Sequence, residues 1–283
     1  MNYCFADIVV HLKTPFTQYF KGLDGYRTSQ EAIYHLEVME ASLTLPNDAA
    51  VVVKGREHIR LSETRRTVWY VSAQGEVLYC LDDDYMTRKA HLTLNVQCDE
   101  TTKAEMAYVV SGLWFMDVAV REGRVPLHAG AIQSNQNTVA FMAPSGTGKS
   151  TLIRRILEHD GSASRLNDDK VFLTIKNNTL WLYSTPFSGE ESLYRPFSGP
   201  LDTLVVLTQG RHNHLCLHQT EQWLHTLLKN THRPWHHEAY HTLLKTLEQL
   251  MPLLTLWHYD ATNDTTAATT LMTRLKEMHD AKN

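Results

Sequence analysis

The sequence feature that most constrains the fold is an apolar strand that runs directly into a glycine-containing loop and then a helix. The strand is predicted at 138–142, the loop at 143–150 and the helix from 152 to 157. The loop sequence, Ala-Pro-Ser-Gly-Thr-Gly-Lys-Ser, matches the pattern G-x-x-x-x-G-K-[ST] at its last three positions, with Ala143 in place of the first glycine. This order of elements predicts an α/β domain in which the loop binds phosphate groups.

The residue types of the loop fit phosphate binding. Small residues let backbone N–H groups turn toward phosphate oxygens, and the start of a helix adds a partial positive charge. A lysine at this position reaches the outer phosphates, and the serine hydroxyl after it can ligate Mg²⁺. The alternative is a glycine-rich turn that binds no ligand. The predicted nucleotide-binding residues are Ser145, Gly146, Thr147, Gly148, Lys149, Ser150 and Thr151.

Two adjacent carboxylates, Asp168 and Asp169, lie 19 and 20 residues after Lys149. Beside a phosphate site with bound Mg²⁺, one carboxylate can hold the metal while the other accepts the proton of an attacking hydroxyl. The apolar strand predicted at 204–207 ends in Thr208 and offers no such acid. The sequence leaves the two roles unassigned, and the alternative is a solvated Asn-Asp-Asp turn.

The rest of the chain predicts a β-rich N-terminal region at 1–100, a connecting helix at 101–124 and a catalytic domain at 125–283 with a helical C-terminal part from residue 221. Thr102 and Glu105 have the spacing of a capping box, apolar residues then recur at helical spacing, and Gly123 marks the helix end. The triplet Asp82–Asp84 is interpreted as a solvated turn rather than a metal site.

Three segments, taken in order, resemble the HPr serine kinase/phosphorylase superfamily, whose catalytic fold is related to ATP-dependent phosphoenolpyruvate carboxykinase. They are 127–131, the phosphate loop 143–151 and the acidic segment 166–169, so that the resemblance covers roughly 125–210. The segment 185–190, Thr-Pro-Phe-Ser-Gly-Glu, is more similar to the shorter HPr-kinase-related peptide kinases, such as lasso-peptide kinases. The resemblance implies an α/β (α+β) fold with an HPr-kinase-like P-loop catalytic domain and a smaller β-rich N-terminal domain.

The resemblance also implies site residues and a function. The implied catalytic residues are His128, Lys149, Asp168 and Asp169, and the implied metal ligands are Ser150, Asp168 and Glu190. Arg195 is a further candidate for a phosphate contact. The implied cofactors are ATP and Mg²⁺, and the implied acceptor is a serine of a peptide or protein. The chain departs from the family pattern at Ala143 and at Asn167, and the region associated with dephosphorylation is not recognisable, so phosphorylase activity is not predicted.

Composition excludes several classes of protein. Lys and Arg total 27 against 31 Asp and Glu, a formal net charge of -4, so a nucleic-acid partner is not expected. Four scattered cysteines predict reduced thiols in a cytoplasmic protein. No signal-peptide pattern opens the sequence and no membrane-spanning run is present, so no membrane association is expected. A homo-oligomer is left open.

The 16 histidines are a second candidate feature. His237 and His241 have i, i+4 spacing that could hold a metal on one helix face, and His212 and His214 form a second pair. Surface histidines are the favoured interpretation.

The function predicted from the sequence is an ATP- and Mg²⁺-dependent kinase acting on a hydroxyl. The alternatives are a small-molecule kinase, a non-catalytic nucleotide-binding regulatory module and a histidine metal protein.

Overall fold

The structure, a computed structural model, describes residues 1–47, 51–187, 194–218 and 222–280. The chain is a mixed α/β protein that divides into two compact units, Met1–Val118 and Ala119–Asn283. The predicted three-part division, with its separate connecting helix, stays a prediction. Among the described residues, no helix is both long enough and apolar enough to cross a bilayer.

The strands described in the first unit form one mixed sheet. They are β1 (Asn2–Phe5), β2 (Ile8–Lys13), β3 (Tyr34–Ala41), β4 (Val52–Lys54), β5 (Glu57–Leu61), β6 (Arg65–Val71), β7 (Val77–Asp84) and β8 (Lys89–Asn95). They lie side by side in the order β1-β2-β3-β8-β7-β6-β5-β4, and a 3₁₀ helix at Thr17–Tyr26 connects β2 to β3. The pairs β2–β3 and β3–β8 are parallel, and the other neighbours are antiparallel.

Helix α1 (Glu100–Arg121) confirms the helix predicted between the two halves, but its N-terminal cap differs. Asp99, rather than the predicted Thr102, caps the helix: its carboxylate accepts hydrogen bonds from Thr102 N at 3.0 Å and Thr102 Oγ1 at 2.7 Å. The expectation that Asp82–Asp84 form a turn is wrong, because all three end strand β7. Asp83 is buried and accepts a hydrogen bond from Trp114 Nε1 at 3.1 Å, so this acid serves the packing of α1.

The strands described in the second unit form a larger mixed sheet. They are β9 (Val125–Ser134), β10 (Asn137–Met142), β11 (Ser164–Asn167), β12 (Lys170–Lys176), β13 (Thr179–Ser184), β14 (Ser198–Pro200), β15 (Thr203–Gln209), β16 (His214–Leu217) and β17 (Leu256–Ala261). The order is β14-β13-β12-β9-β10-β15-β17-β16, with β11 paired to β9 off this path. The helices are α2 (Lys149–His159), α3 (Trp223–Lys229), α4 (His237–Leu250) and α5 (Thr266–Asp280), with a 3₁₀ turn at Met251–Leu253.

Helices cover both faces of this sheet. Successive side chains of a strand point to opposite faces, so a single strand contributes residues to the core on each side. In β10, Val139 and Phe141 pack in the core that contains α2 and α5, whereas Ala140 and Met142 pack in the core that contains α3 and α4. Strands β10, β15 and β17 are parallel, so their carboxyl ends lie along one edge of the sheet. The C-terminal part is only partly helical, as β17 shows.

Candidate active site

The predicted phosphate loop connects β10 to α2, as the sequence indicates. Gly146 has φ of 79° and Gly148, which precedes the first residue of α2, has φ of 102°. Residues with a side chain rarely adopt such positive φ values, which explains glycine at both positions. Ala143 is buried and is not among the described residues with positive φ, so alanine fits this loop without backbone strain.

Lys149 is the first residue of α2 and is 8% exposed. Its Nζ lies 3.9 Å from Asp169 Oδ1 and donates no hydrogen bond to any group in the described part of the chain. Burial lowers the pKa of Lys149 below its ordinary value, and the nearby Asp169 and Asp168 carboxylates offset only part of that shift. A buried ammonium group without a hydrogen-bond acceptor is costly, so this site fits an anionic ligand.

Asp169 links the acidic segment to the strand before the phosphate loop. His128 Nδ1 lies 2.9 Å from Asp169 Oδ1, and Lys170 Nζ forms an ion pair with Asp169 Oδ2. Lys170 pairs with His128 across β12 and β9, and the Asp169 carbonyl accepts a bond from Ala129 N at 2.9 Å. Burial alone would raise the pKa of Asp169, but the hydrogen bonds from His128 and Lys170 outweigh it and hold this pKa well below the usual range.

Asn167 shapes the turn that carries both acids, a role that the sequence analysis missed. It is fully buried at the end of β11. Its Oδ1 accepts hydrogen bonds from Asp169 N at 2.8 Å and Lys170 N at 2.7 Å, while its Nδ2 donates to the Thr185 carbonyl at 2.8 Å. Asn side chains commonly bond to backbone two residues onward in this way, so the Asn-Asp-Asp sequence was a signal for a structured turn.

Gly130 allows β9 to pass closely beneath α2 and this turn. A Cβ atom at Gly130 would overlap Ile153 Cδ1 and lie 3.3 Å from the carbonyl oxygen of Asp168. Here close packing, rather than backbone conformation, favours glycine. This also explains the glycine within the segment 127–131.

The phosphate loop, His128 and the two acids Asp168 and Asp169 line one open cavity of about 740 Å³. Its lining residues are His128, Pro144, Ser145, Gly146, Thr147, Gly148, Lys149, Ser150, Thr151, Arg154, Arg165, Asp168 and Asp169. The structure thus brings together the predicted site residues of the loop, of strand β9 and of the acidic turn. It adds two cations, Arg154 and Arg165, that the sequence analysis did not single out. Arg154 lies one helical turn after Ser150, which was the available signal for it.

The remaining candidates are Glu190, Arg195 and the histidine pair. Glu190, predicted as a metal ligand, lies outside the described residues, as does the end of the segment 185–190. Arg195 Nη2 donates to Gln133 Oε1 at 3.1 Å, and Arg195 is not among the residues that line the cavity. In the described part of the chain, no group of three or more His, Cys, Asp or Glu side chains converges as a metal site, which leaves the pair His237 and His241 without a third ligand there.

Comparisons with known proteins give a distant structural similarity. No family model matches the chain, and no curated protein matches it. Among solved structures, the chain is similar to the HPr(Ser) kinase/phosphatase from Coxiella burnetii, with 10% sequence identity and a TM-score of 0.33. The match covers 56% of this chain and 97% of that chain. At this level of similarity, function has to be argued from the geometry of the site.

Proposed function

We propose that this chain is a phosphotransferase that uses ATP and Mg²⁺ to phosphorylate a hydroxyl group, with a serine of a peptide or protein as the acceptor. The observation that carries the proposal is that the phosphate loop and an acid–histidine pair face one cavity. Lys149 Nζ lies 3.9 Å from Asp169 Oδ1, and the same oxygen lies 2.9 Å from His128 Nδ1. A module that only binds nucleotide needs the loop, but has no use for an oriented acid–histidine pair beside it.

The loop and its neighbouring cations would hold the phosphates. The backbone N–H groups at the start of α2 have no acceptor within the helix, and Lys149 brings a buried positive charge to the same place. Arg154 and Arg165 add two more positive charges to the cavity wall. Since phosphoryl transfer depends mainly on positioning and on stabilising charge, this arrangement supplies much of what the reaction needs.

Among the described residues, Ser150 and Asp168 are those that would hold Mg²⁺. Both line the cavity, and a serine hydroxyl with a carboxylate is a donor set that suits this hard cation. The bound ion would neutralise phosphate charge. Asp169 is a poor candidate for the same task, because its carboxylate already faces His128, Lys149 and Lys170.

We assign the proton-accepting role to His128. The hydrogen bonds that lower the pKa of Asp169 make its carboxylate a weak base. With Nδ1 protonated and bound to Asp169, His128 presents Nε2 as the ring nitrogen that accepts a proton. The acceptor hydroxyl would lose its proton to Nε2 while its oxygen bonds to the γ-phosphorus and the bond to the leaving diphosphate oxygen breaks.

The test is incubation with ATP, Mg²⁺ and a panel of serine-containing peptides, threonine-matched peptides and small polyols, read by mass spectrometry. We expect a mass gain of one phosphate on a serine peptide, which is lost in Lys149→Ala. Transfer only to a small molecule would support a small-molecule kinase instead. Tight nucleotide binding without transfer to any acceptor would support the regulatory module.

A further inference from the structure

A second cavity of about 400 Å³ adjoins the phosphate loop. Gly146, Thr147, Gly148 and Thr151 line both this cavity and the larger one described above. The phosphate loop is therefore a wall that two cavities share. A ligand whose phosphates contact this loop can extend into either of them.

The two cavities differ in chemistry. The larger one contains Asp168, Asp169 and His128, whereas the described lining of the smaller one includes neither a carboxylate nor a histidine. Its apolar wall comes from Leu152 and Leu207, both buried, together with alanines of β17 and α5. This composition suits an uncharged, flat group better than a phosphate or a metal ion.

The polar groups of the smaller cavity lie where the chain leaves the parallel strands. Gln209 is the last residue of β15 and Asn263 follows β17, so they lie at the carboxyl ends of two neighbouring parallel strands. Open α/β sheets usually bind ligands in a crevice at this edge. Side-chain amides can both donate and accept hydrogen bonds, which is what the edge of a nucleobase requires.

Two side chains, Gln209 and Arg155, connect this cavity to the phosphate loop and to α2. Gln209 Nε2 lies 3.4 Å from the carbonyl oxygens of Gly146 and Thr147 and donates to them. Arg155 Nη1 donates to the Asp264 carbonyl at 2.7 Å, which holds the guanidinium group beside the cavity. A held guanidinium plane is a suitable surface for stacking of an aromatic base.

We propose that the smaller cavity binds the nucleoside part of a nucleoside triphosphate whose phosphates lie on the shared loop. This rests on the proposed function, and it adds that the base and ribose lie on the β15–β17 side. The larger cavity is then left for the reacting phosphate and the acceptor hydroxyl. The apolar wall packs against the base, and the amides of Gln209 and Asn263 contact its polar edge.

The test compares binding of ATP with binding of inorganic triphosphate by calorimetry. Ala261→Phe fills the smaller cavity from the end of β17, and Ala73→Phe, at an exposed turn between β6 and β7, is the matched control. We expect Ala261→Phe to weaken ATP binding at least about tenfold while triphosphate binding stays unchanged. The control should bind both ligands as the unmodified protein does. Unchanged ATP affinity in Ala261→Phe, or equal loss of both ligands, would overturn the assignment.

A labelling experiment on the unmodified protein gives a second, independent result. Photolysis with 8-azido-ATP should label peptides that contain 207–210 or 261–267, and excess ATP should protect them. Label confined to the acidic segment 165–169 would overturn the proposal while leaving the phosphotransferase function in place. If the unmodified protein binds inorganic triphosphate no better than Lys149→Ala does, the phosphate site itself is wrong and both proposals fail.

Discussion

His128 Nδ1 lies 2.9 Å from Asp169 Oδ1, although the two residues are 41 positions apart in the chain. The contact follows from the antiparallel pairing of β9 with β12, which places Lys170 opposite His128 and the acid just before it. A histidine oriented by a carboxylate is a common arrangement for accepting a proton from a hydroxyl. In this chain it faces the same cavity as the phosphate loop.

Substitution of His128 should therefore impair transfer more than binding. We expect His128→Gly to lower the single-turnover rate by about 100-fold or more, with the dissociation constant for nucleotide little changed. Added imidazole should restore part of that rate, because it can occupy the space left by the ring. The control is His159→Gly, at the far end of α2. Rates that match the unmodified protein without imidazole would exclude His128 as the base.

Asn167 gives a prediction about the geometry of the acidic turn. Asn167→Ala removes two hydrogen bonds to the backbone N–H groups of Asp169 and Lys170 and one to Thr185. The loss leaves buried polar groups without partners, which should cost about 1–3 kcal/mol in the free energy of unfolding. Chemical denaturation followed by tryptophan fluorescence measures this cost. The control is Asn47→Ala, at an exposed position. An equally small effect of both substitutions on the free energy of unfolding would contradict the role of Asn167 in holding the acidic turn.

The sequence predicted the parts of the site that depend on contiguous residues. The strand, the two loop glycines, Lys149 and the start of α2 form one local pattern, and the structure contains all of them. Arg165 was missed because nothing in its sequence neighbourhood shows which strand it pairs with; its place beside the loop follows from the pairing of β11 with β9.

Two further differences between the sequence-based expectations and the structure have the same physical origin. Strand β17 was missed because it lies between helical segments, and its long-range pairing with β15 and β16 makes it a strand. Arg195 was a candidate for phosphate, but the fold places its side chain on Gln133. Long-range pairing decides both cases, and a single sequence carries no direct signal for it.

Gly130 gives a prediction that a second substitution can check. Gly130→Ala adds a methyl group that overlaps Ile153 Cδ1, and overpacking of this kind typically costs about 1–3 kcal/mol. Shortening the neighbour in Gly130→Ala/Ile153→Val should recover part of that loss, although the new methyl group still lies close to the Asp168 carbonyl. Thermal unfolding of the single and double variants measures the coupling between the two positions. If the stability lost in the double variant equals the sum of the losses in the two single variants, the contact between positions 130 and 153 does not limit the packing.

Lys149 should stabilise the complex with phosphate and destabilise the ligand-free protein. Burial lowers its pKa in the folded state, so the charged form is disfavoured on folding. The resulting penalty is fully present below the folded-state pKa, where the lysine is charged in both states, and it disappears as pH rises through the lowered folded-state pKa toward the ordinary value. Lys149→Met removes the charge and should raise the melting temperature of the ligand-free protein at neutral pH, with a smaller difference at alkaline pH.

Inorganic triphosphate should raise the melting temperature of the unmodified protein and leave that of Lys149→Met unchanged. A lower melting temperature for ligand-free Lys149→Met at neutral pH would show that the ion pair with Asp169, at 3.9 Å, outweighs the cost of burying the lysine.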